Sequence, residues 1–176
     1  MIKRILIPNR GEIAGRIIRT ARRMGIETVL AVHQLDVGSR AARDADVIAP
    51  IEADSAVAAY LDGAQIVQVA VDQRCDAIHP GYGFLSENAR FADQVMRAGL
   101  IWIGPRAEVI DLMGDKIRAR DFARQCGLPL VPSADGETDA EIKRAAGEIG
   151  YPVLVKAAAG GGGKGMKIAR DPGEVL

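Results

Sequence analysis

The chain has 176 residues, with 23 Lys plus Arg balanced by 23 Asp plus Glu, and 48% of its residues are hydrophobic. A formal net charge of zero leaves no field to gather nucleic acid or an anionic membrane, so neither is expected as a partner. General disorder is excluded by the large apolar share, and the length suits one domain, or one domain and a piece of another.

In chain order, Ile5–Pro8 is a buried-strand candidate. Pro8 and Asn9 stop this opening apolar run, which is too short for a secretory h-region or a membrane span. From Gly11 to Met24 apolar residues fall at Ile13, Ile17, Ala21 and Met24, a helical spacing. Arg16, Arg19, Arg22 and Arg23 take the other faces, and Gly25 ends the helix. Thr28–His33 and Val47–Ala49 read as strands, Tyr60–Arg74 as one helix, Ala77–His79 as a strand, and Pro80-Gly81-Tyr82-Gly83 as a turn. Ser86 is the N-cap candidate of a helix to Arg97 closed by Gly99. Leu100–Ile103 is a further strand, broken by Gly104-Pro105.

Strands alternating with helices indicate a parallel sheet covered on both faces, an open Rossmann-like α/β domain over residues 1–113. Ile5–Pro8 is expected at its centre and His79–Gly83 at the C-terminal strand edge, where such sheets take ligands. Cys75 and Cys126 form no CxxC pair and read as two buried thiols of a reducing compartment. With only His33 and His79 beside them they make no metal cluster.

A second unit is expected over residues 114–176. Lys116–Gln125 and Thr138–Ile149 read as helices, and Cys126–Pro132 as an irregular link. Tyr151–Ala157 contains the strand Val153-Leu154-Val155 with Lys156 at its end, and Met166–Ala169 reads as the returning strand. One hairpin and two helices bury little, so this unit is expected to be an incomplete one. Between its strands lies Gly160-Gly161-Gly162-Gly163-Lys164-Gly165. Glycines let backbone N–H groups approach phosphate oxygens, and Lys164 adds a charge. A Rossmann loop must join a strand to a helix, and a P-loop needs its Lys followed by Ser or Thr; neither holds here. In a protein kinase the phosphate lysine follows the glycine loop, whereas Lys156 precedes it. A flexible phosphate flap of ATP-grasp type is left, with Lys116 and Lys156 as the lysines placed on ATP. An apolar strand ending in Lys156 is otherwise oddly built, because an unpaired buried charge is costly.

Four segments carry a family resemblance. Ile7-Pro8-Asn9-Arg10-Gly11-Glu12-Ile13-Ala14 resembles the opening of biotin carboxylases. His79-Pro80-Gly81-Tyr82-Gly83-Phe84-Leu85-Ser86-Glu87-Asn88 matches the family's HPGYGFLSEN residue for residue. Ile103-Gly104-Pro105 with Met113-Gly114-Asp115-Lys116, and Tyr151–Lys156 with Gly160–Met166, resemble two further family motifs. Their order and spacing cover nearly the whole chain. Pro8 departs from the usual Ala, Ala157-Ala158-Ala159 replaces a stretch that often carries Ser, and Gln34–Ala45 departs from the common pattern.

The resemblance implies a pre-ATP-grasp domain followed by the start of an ATP-grasp domain. It implies a ligase that uses MgATP and bicarbonate, by way of a carboxyphosphate-type intermediate, to carboxylate biotin on a carrier domain. By motif, Lys116 and Lys156 would contact ATP phosphates, and Gly161, Gly162, Gly163 and Met166 would form the lid. Tyr82 and Gly83 would lie near the biotin pocket, and Asn9–Ala14 would shape the strand-to-helix turn. The catalytic and metal-binding residues of the family fall outside these 176 residues, so the chain alone is expected to be inactive. Implied partners are a biotin carboxyl carrier domain, a carboxyltransferase and a second copy of the chain. For that pairing Arg16 and Arg19 stand on an exposed helix face, with simple solvation as their other reading. The compartment would be the cytoplasm, or an organelle matrix after processing. Another ATP-grasp ligase, or a non-catalytic protein that binds carboxylase subunits, stays open as an alternative.

Overall fold

Ile5, Leu6 and Ile7 are 3% exposed or less, and a strand buried on both faces belongs inside a sheet. The computed structural model describes residues 1–156 and 165–176. In it β1 (Arg4–Ile7) is the middle strand of a five-stranded sheet. The other strands are β2 (Glu27–Val32), β3 (Val47–Pro50), β4 (Ala77–Ile78) and β5 (Ile101–Trp102). Their order is β3-β2-β1-β4-β5, and every pairing is parallel.

The period-two alternation of a strand sends Leu6 to one face and Ile5 and Ile7 to the other. On the second face α1 (Gly11–Arg23) lays Ala14, Ile17, Ile18 and Ala21 over Ile5, Ile7, Leu30 and Val32. On the first, α4 (Gly63–Asp72) and α5 (Ala89–Arg97) bring Ile66, Ala70, Phe91 and Val95 against Leu6, Val29 and Ile78. Each Ile, Leu, Val or Phe side chain among them, fully buried, contributes about 1.5–3 kcal/mol of hydrophobic stabilisation. Two short helices, α2 (Arg40–Asp44) and α3 (Ala56–Leu61), and α6 (Ala107–Gly114) complete the covering.

Several local expectations are corrected. The span 60–74 is not one helix: α3 ends at Leu61, and Asp62 leaves helical geometry (φ −81°, ψ 86°) to accept from the Gln65 amide at 3.0 Å, capping α4. Ser86 does not cap α5. It lies in the 3-10 turn Phe84–Glu87, and Asn88 is the cap, its Oδ1 accepting from the Phe91 amide at 3.0 Å. α6 was not foreseen; it is an eight-residue helix whose N-terminus has no side-chain cap. Cys75 is buried as expected, but Cys126 is exposed.

The described residues divide into two compact units, Met1–Ala119 and Arg120–Leu176, the division falling within α7 (Lys116–Gln125). The second contains α8 (Asp139–Ile149) and an antiparallel pair, β6 (Val153–Lys156) with β7 (Met166–Ala169). Thr138 and Glu141 close a capping box on α8, the Thr138 hydroxyl accepting from Glu141 and the Glu141 carboxylate accepting from Thr138. Ala146, Ala169 and Val175 form the small buried core, with Ile142, Tyr151, Val153 and Val155 packed on it. Among the described residues no helix is long and apolar enough to cross a membrane.

Candidate functional site

The parallel sheet runs outward from β1 in both directions, toward β2 and β3 on one side and β4 and β5 on the other. The loops leaving β1 and β4 therefore diverge, and the crevice beyond their carboxyl ends is the topological switch point where open α/β sheets bind ligands. Asn9 leaves β1 into this crevice and is fully buried. Its Nδ2 donates to the carbonyls of Pro80 (2.7 Å) and Tyr82 (2.9 Å), and its Oδ1 accepts from the Arg10 amide at 2.8 Å. Both amide protons and the amide oxygen of Asn9 are thus satisfied, as burial demands.

The partner loop is built to accept that tie. Gly81 has φ +72°, and a Cβ there would stand 2.6 Å from Ile13 Cγ2 and 2.9 Å from Asn9 Nδ2, so only glycine lets the two loops meet. His79, half-buried, accepts from the Gly81 amide through Nδ1 at 3.1 Å. Burial holds its pKa below the ordinary histidine value, which favours the neutral ring that can accept. Beyond Gly83 (φ +69°) the chain is anchored by Leu85, 5% exposed, and by the Phe84 ring, 5.3 Å from that of Tyr60.

Tyr82 sits on this loop yet is 61% exposed, and its hydroxyl donates to Glu12 in the first turn of α1. That hydrogen bond, and the negative charge behind it, raise the Tyr82 pKa. Arg10 pairs with Asp36 at 3.1 Å, and Asp36 accepts from the Tyr60 hydroxyl at 3.2 Å. Burial first, then the Asp36 carboxylate, push Tyr60 up to about 12.

Lys116 is the exposed first residue of α7, whose start is set by Asp115: its Oδ1 accepts from the amides of Ile117 (2.9 Å) and Arg118 (3.0 Å). In the second unit the β6–β7 register sets Lys156 opposite Met166 and Leu154 opposite Ile168. All four side chains are exposed, so Lys156 does not end a buried strand. Its ammonium stands beside an apolar outer face. Gly161, Gly162 and Gly163 lie outside the described residues. Tyr82 and Gly83 are thus together in the first unit, and Lys156 and Met166 in the second. Among the described residues no group of three or more His, Cys, Asp or Glu could hold a metal ion. Asn9, Glu12 and Gly81 were not foreseen as site residues. Their local signals were the strand-to-helix turn at residues 9–14 for Asn9 and Glu12, and the Pro80–Gly83 turn for Gly81.

Residues 1–110 match the model of the biotin carboxylase N-terminal domain, and residues 115–176 that of the carbamoyl-phosphate synthase L chain ATP-binding domain. The 2-oxoglutarate carboxylase small subunit of Hydrogenobacter thermophilus is 44% identical over all of this chain and 38% of its own length. The biotin carboxylase of Pseudomonas aeruginosa is 45% identical over all of this chain and 40% of its own. A crystal structure of a biotin carboxylase complex with β-γ-ATP from Campylobacter jejuni superposes with a TM-score of 0.91. It is 40% identical, and the match covers 99% of this chain and 40% of that one. The chain thus spans about two fifths of the length of these relatives.

Proposed function

Since the chain belongs to the biotin carboxylase family, we propose that it supplies part of the nucleotide site and part of the biotin pocket of a biotin carboxylase. The reaction on this reading is the carboxylation of carrier-bound biotin with MgATP and bicarbonate. The observation that carries the nucleotide half is the outer face of the hairpin. Met166, Leu154 and Ile168 offer apolar surface for a base, and Lys156 on the same face offers a cation for phosphate oxygens. This donor set fits a nucleotide. By motif, Lys116 is likewise assigned to ATP phosphates, and Gly161, Gly162 and Gly163 to the nucleotide flap.

Bound MgATP supplies the phosphoryl group and the metal charge that offsets its negative oxygens. This chain's share is to bind and orient: lysine ammonium groups meet phosphate oxygens, and the hairpin face excludes water from the base. No cluster of His, Cys, Asp or Glu among the described residues fits the metal. In the first unit Tyr82 and Gly83 form the biotin wall, held on the loop that Asn9 ties down. The same reading assigns residues 1–113 to the pre-ATP-grasp domain and residues 114–176 to the start of the ATP-grasp domain. Its partners are a biotin carboxyl carrier domain, a carboxyltransferase and a second copy of the chain, in the cytoplasm or an organelle matrix.

The test is ATP binding by calorimetry, and phosphate release with biotin, MgATP and bicarbonate. The chain is expected to bind nucleotide weakly and Lys156→Ala to weaken that binding about tenfold, the scale of a charge-assisted hydrogen bond. Bicarbonate-dependent turnover is expected to be absent, because positioning alone accounts for roughly 7–11 kcal/mol of barrier lowering in complete sites. Nucleotide binding indifferent to Lys156→Ala would refute the hairpin assignment.

A further inference from the structure

Glu12 and Tyr82 lie seventy residues apart in sequence, both exposed, yet their side chains are hydrogen-bonded. An ionised carboxylate has no proton to give, so the phenol is the donor and its oxygen lone pairs stay open to the crevice. A bond between two exposed side chains adds little to stability, so the fold does not call for it. What it does is complete a second attachment. Asn9 holds the Tyr82 backbone carbonyl at 2.9 Å and Glu12 holds the hydroxyl at the far end of the same residue. Asn9 lies in the turn after β1 and Glu12 in the first turn of α1, three positions apart. Gly81, with no space for a Cβ, seats the loop against that turn. An aromatic residue left 61% exposed but fixed at both ends is placed to meet a ligand.

Building on the assignment of Tyr82 to the biotin pocket, we propose that Glu12 is a positioning residue that holds the Tyr82 hydroxyl as a hydrogen-bond acceptor. The ligand group facing it is then a donor, such as a ureido N–H. A carbonyl oxygen at that place meets only lone pairs and is rejected, so the pair sets the orientation of the ureido ring.

The test uses the whole 176-residue chain with tyrosines labelled at Cζ, read by NMR, and with Tyr82→Phe to assign the signal. Tyr82 is expected to titrate above an ordinary tyrosine, and Glu12→Ala to bring it back down. Glu12→Gln, which keeps an acceptor without the charge, is expected to restore the ring position fully and the raised titration only in part. A merely structural Glu12 would not separate these two readouts. Biotin is expected to shift the Tyr82 signal, and biotin methylated on its ureido nitrogens to bind roughly three- to tenfold more weakly, the worth of one hydrogen bond. Glu12→Ala is expected to erase that difference. An unchanged Tyr82 titration in Glu12→Ala, or an unchanged preference for biotin over its methylated form, overturns the role of Glu12. Absence of any biotin response at millimolar concentration, with the titration shift intact, refutes the biotin-pocket reading and with it the ligand half of the proposal.

Discussion

In the parallel sheet Leu6, Ile7, Val29 and Ile78 are wholly shielded from water, whereas in the β6–β7 hairpin Leu154, Met166 and Ile168 are 46–54% exposed. Both regions are strands rich in aliphatic residues, so composition does not separate them. A parallel sheet needs crossover helices, and those helices bury both faces. An antiparallel pair needs no crossover helix and only one face covered, here by Ala146, Ile142 and Val175. The first region therefore uses its apolar residues for stability. In the second, half of them are left for something other than the core of the unit.

The sharpest way to break this comparison is truncation in each region. Phe91→Ala removes a ring that is 1% exposed and packs edge-on at 5.5 Å against Trp102. A loss of about 3–5 kcal/mol is expected from urea unfolding followed at that tryptophan. Leu154→Ala is expected to change the stability of the hairpin by only about 0.5 kcal/mol, read from amide exchange in β6 and β7. Comparable costs would show the outer face to be core after all.

Gly81→Ala tests whether the loops at the switch point are as close-packed as the sheet beneath them. The added methyl meets Ile13 and Asn9 at an unfavourable φ, and a cost of about 1–3 kcal/mol is expected in the same unfolding assay. Thr138→Ala probes the second unit at its helix start, where loss of the capping box is expected to cost about 1 kcal/mol in amide exchange of α8.

The smallest expected effect concerns acid. Thr28 donates to Asp46 from its hydroxyl (2.7 Å) and its amide (2.9 Å), which holds that carboxyl below the ordinary aspartate range. A depressed folded pKa means the stabilisation is present above the unfolded value and is lost as pH falls through the folded one. Asp46→Asn is expected to flatten this small acid limb of stability against pH, while leaving the second unit unaffected.

How much could be seen in advance follows the range of the interactions. The Pro80–Gly83 turn and the Thr138 helix start were legible because proline, glycine and a capping threonine act on their immediate neighbours. The break at Asp62 was missed because a capping aspartate inside an apolar run carries the same period as a continuing helix. Asn88 was overlooked for Ser86 because the intervening 3-10 turn has no period of its own. Lys156 was read as ending a buried strand, since an apolar run cannot say how many of its faces will be covered.

The sequence by itself determined the alternation of strands and helices in the first region, the hairpin with its lysine, and the family, because each rests on short-range pattern or on contiguous motifs. Only the tertiary structure decided that β1 lies between β2 and β4, so that residues 9–12 face residues 79–83 across one crevice. It likewise decided that Asn9 and Glu12 grip opposite ends of Tyr82. Strand order is set by burying two faces of a sheet under right-handed crossovers, a condition on the whole chain that no local window of residues contains.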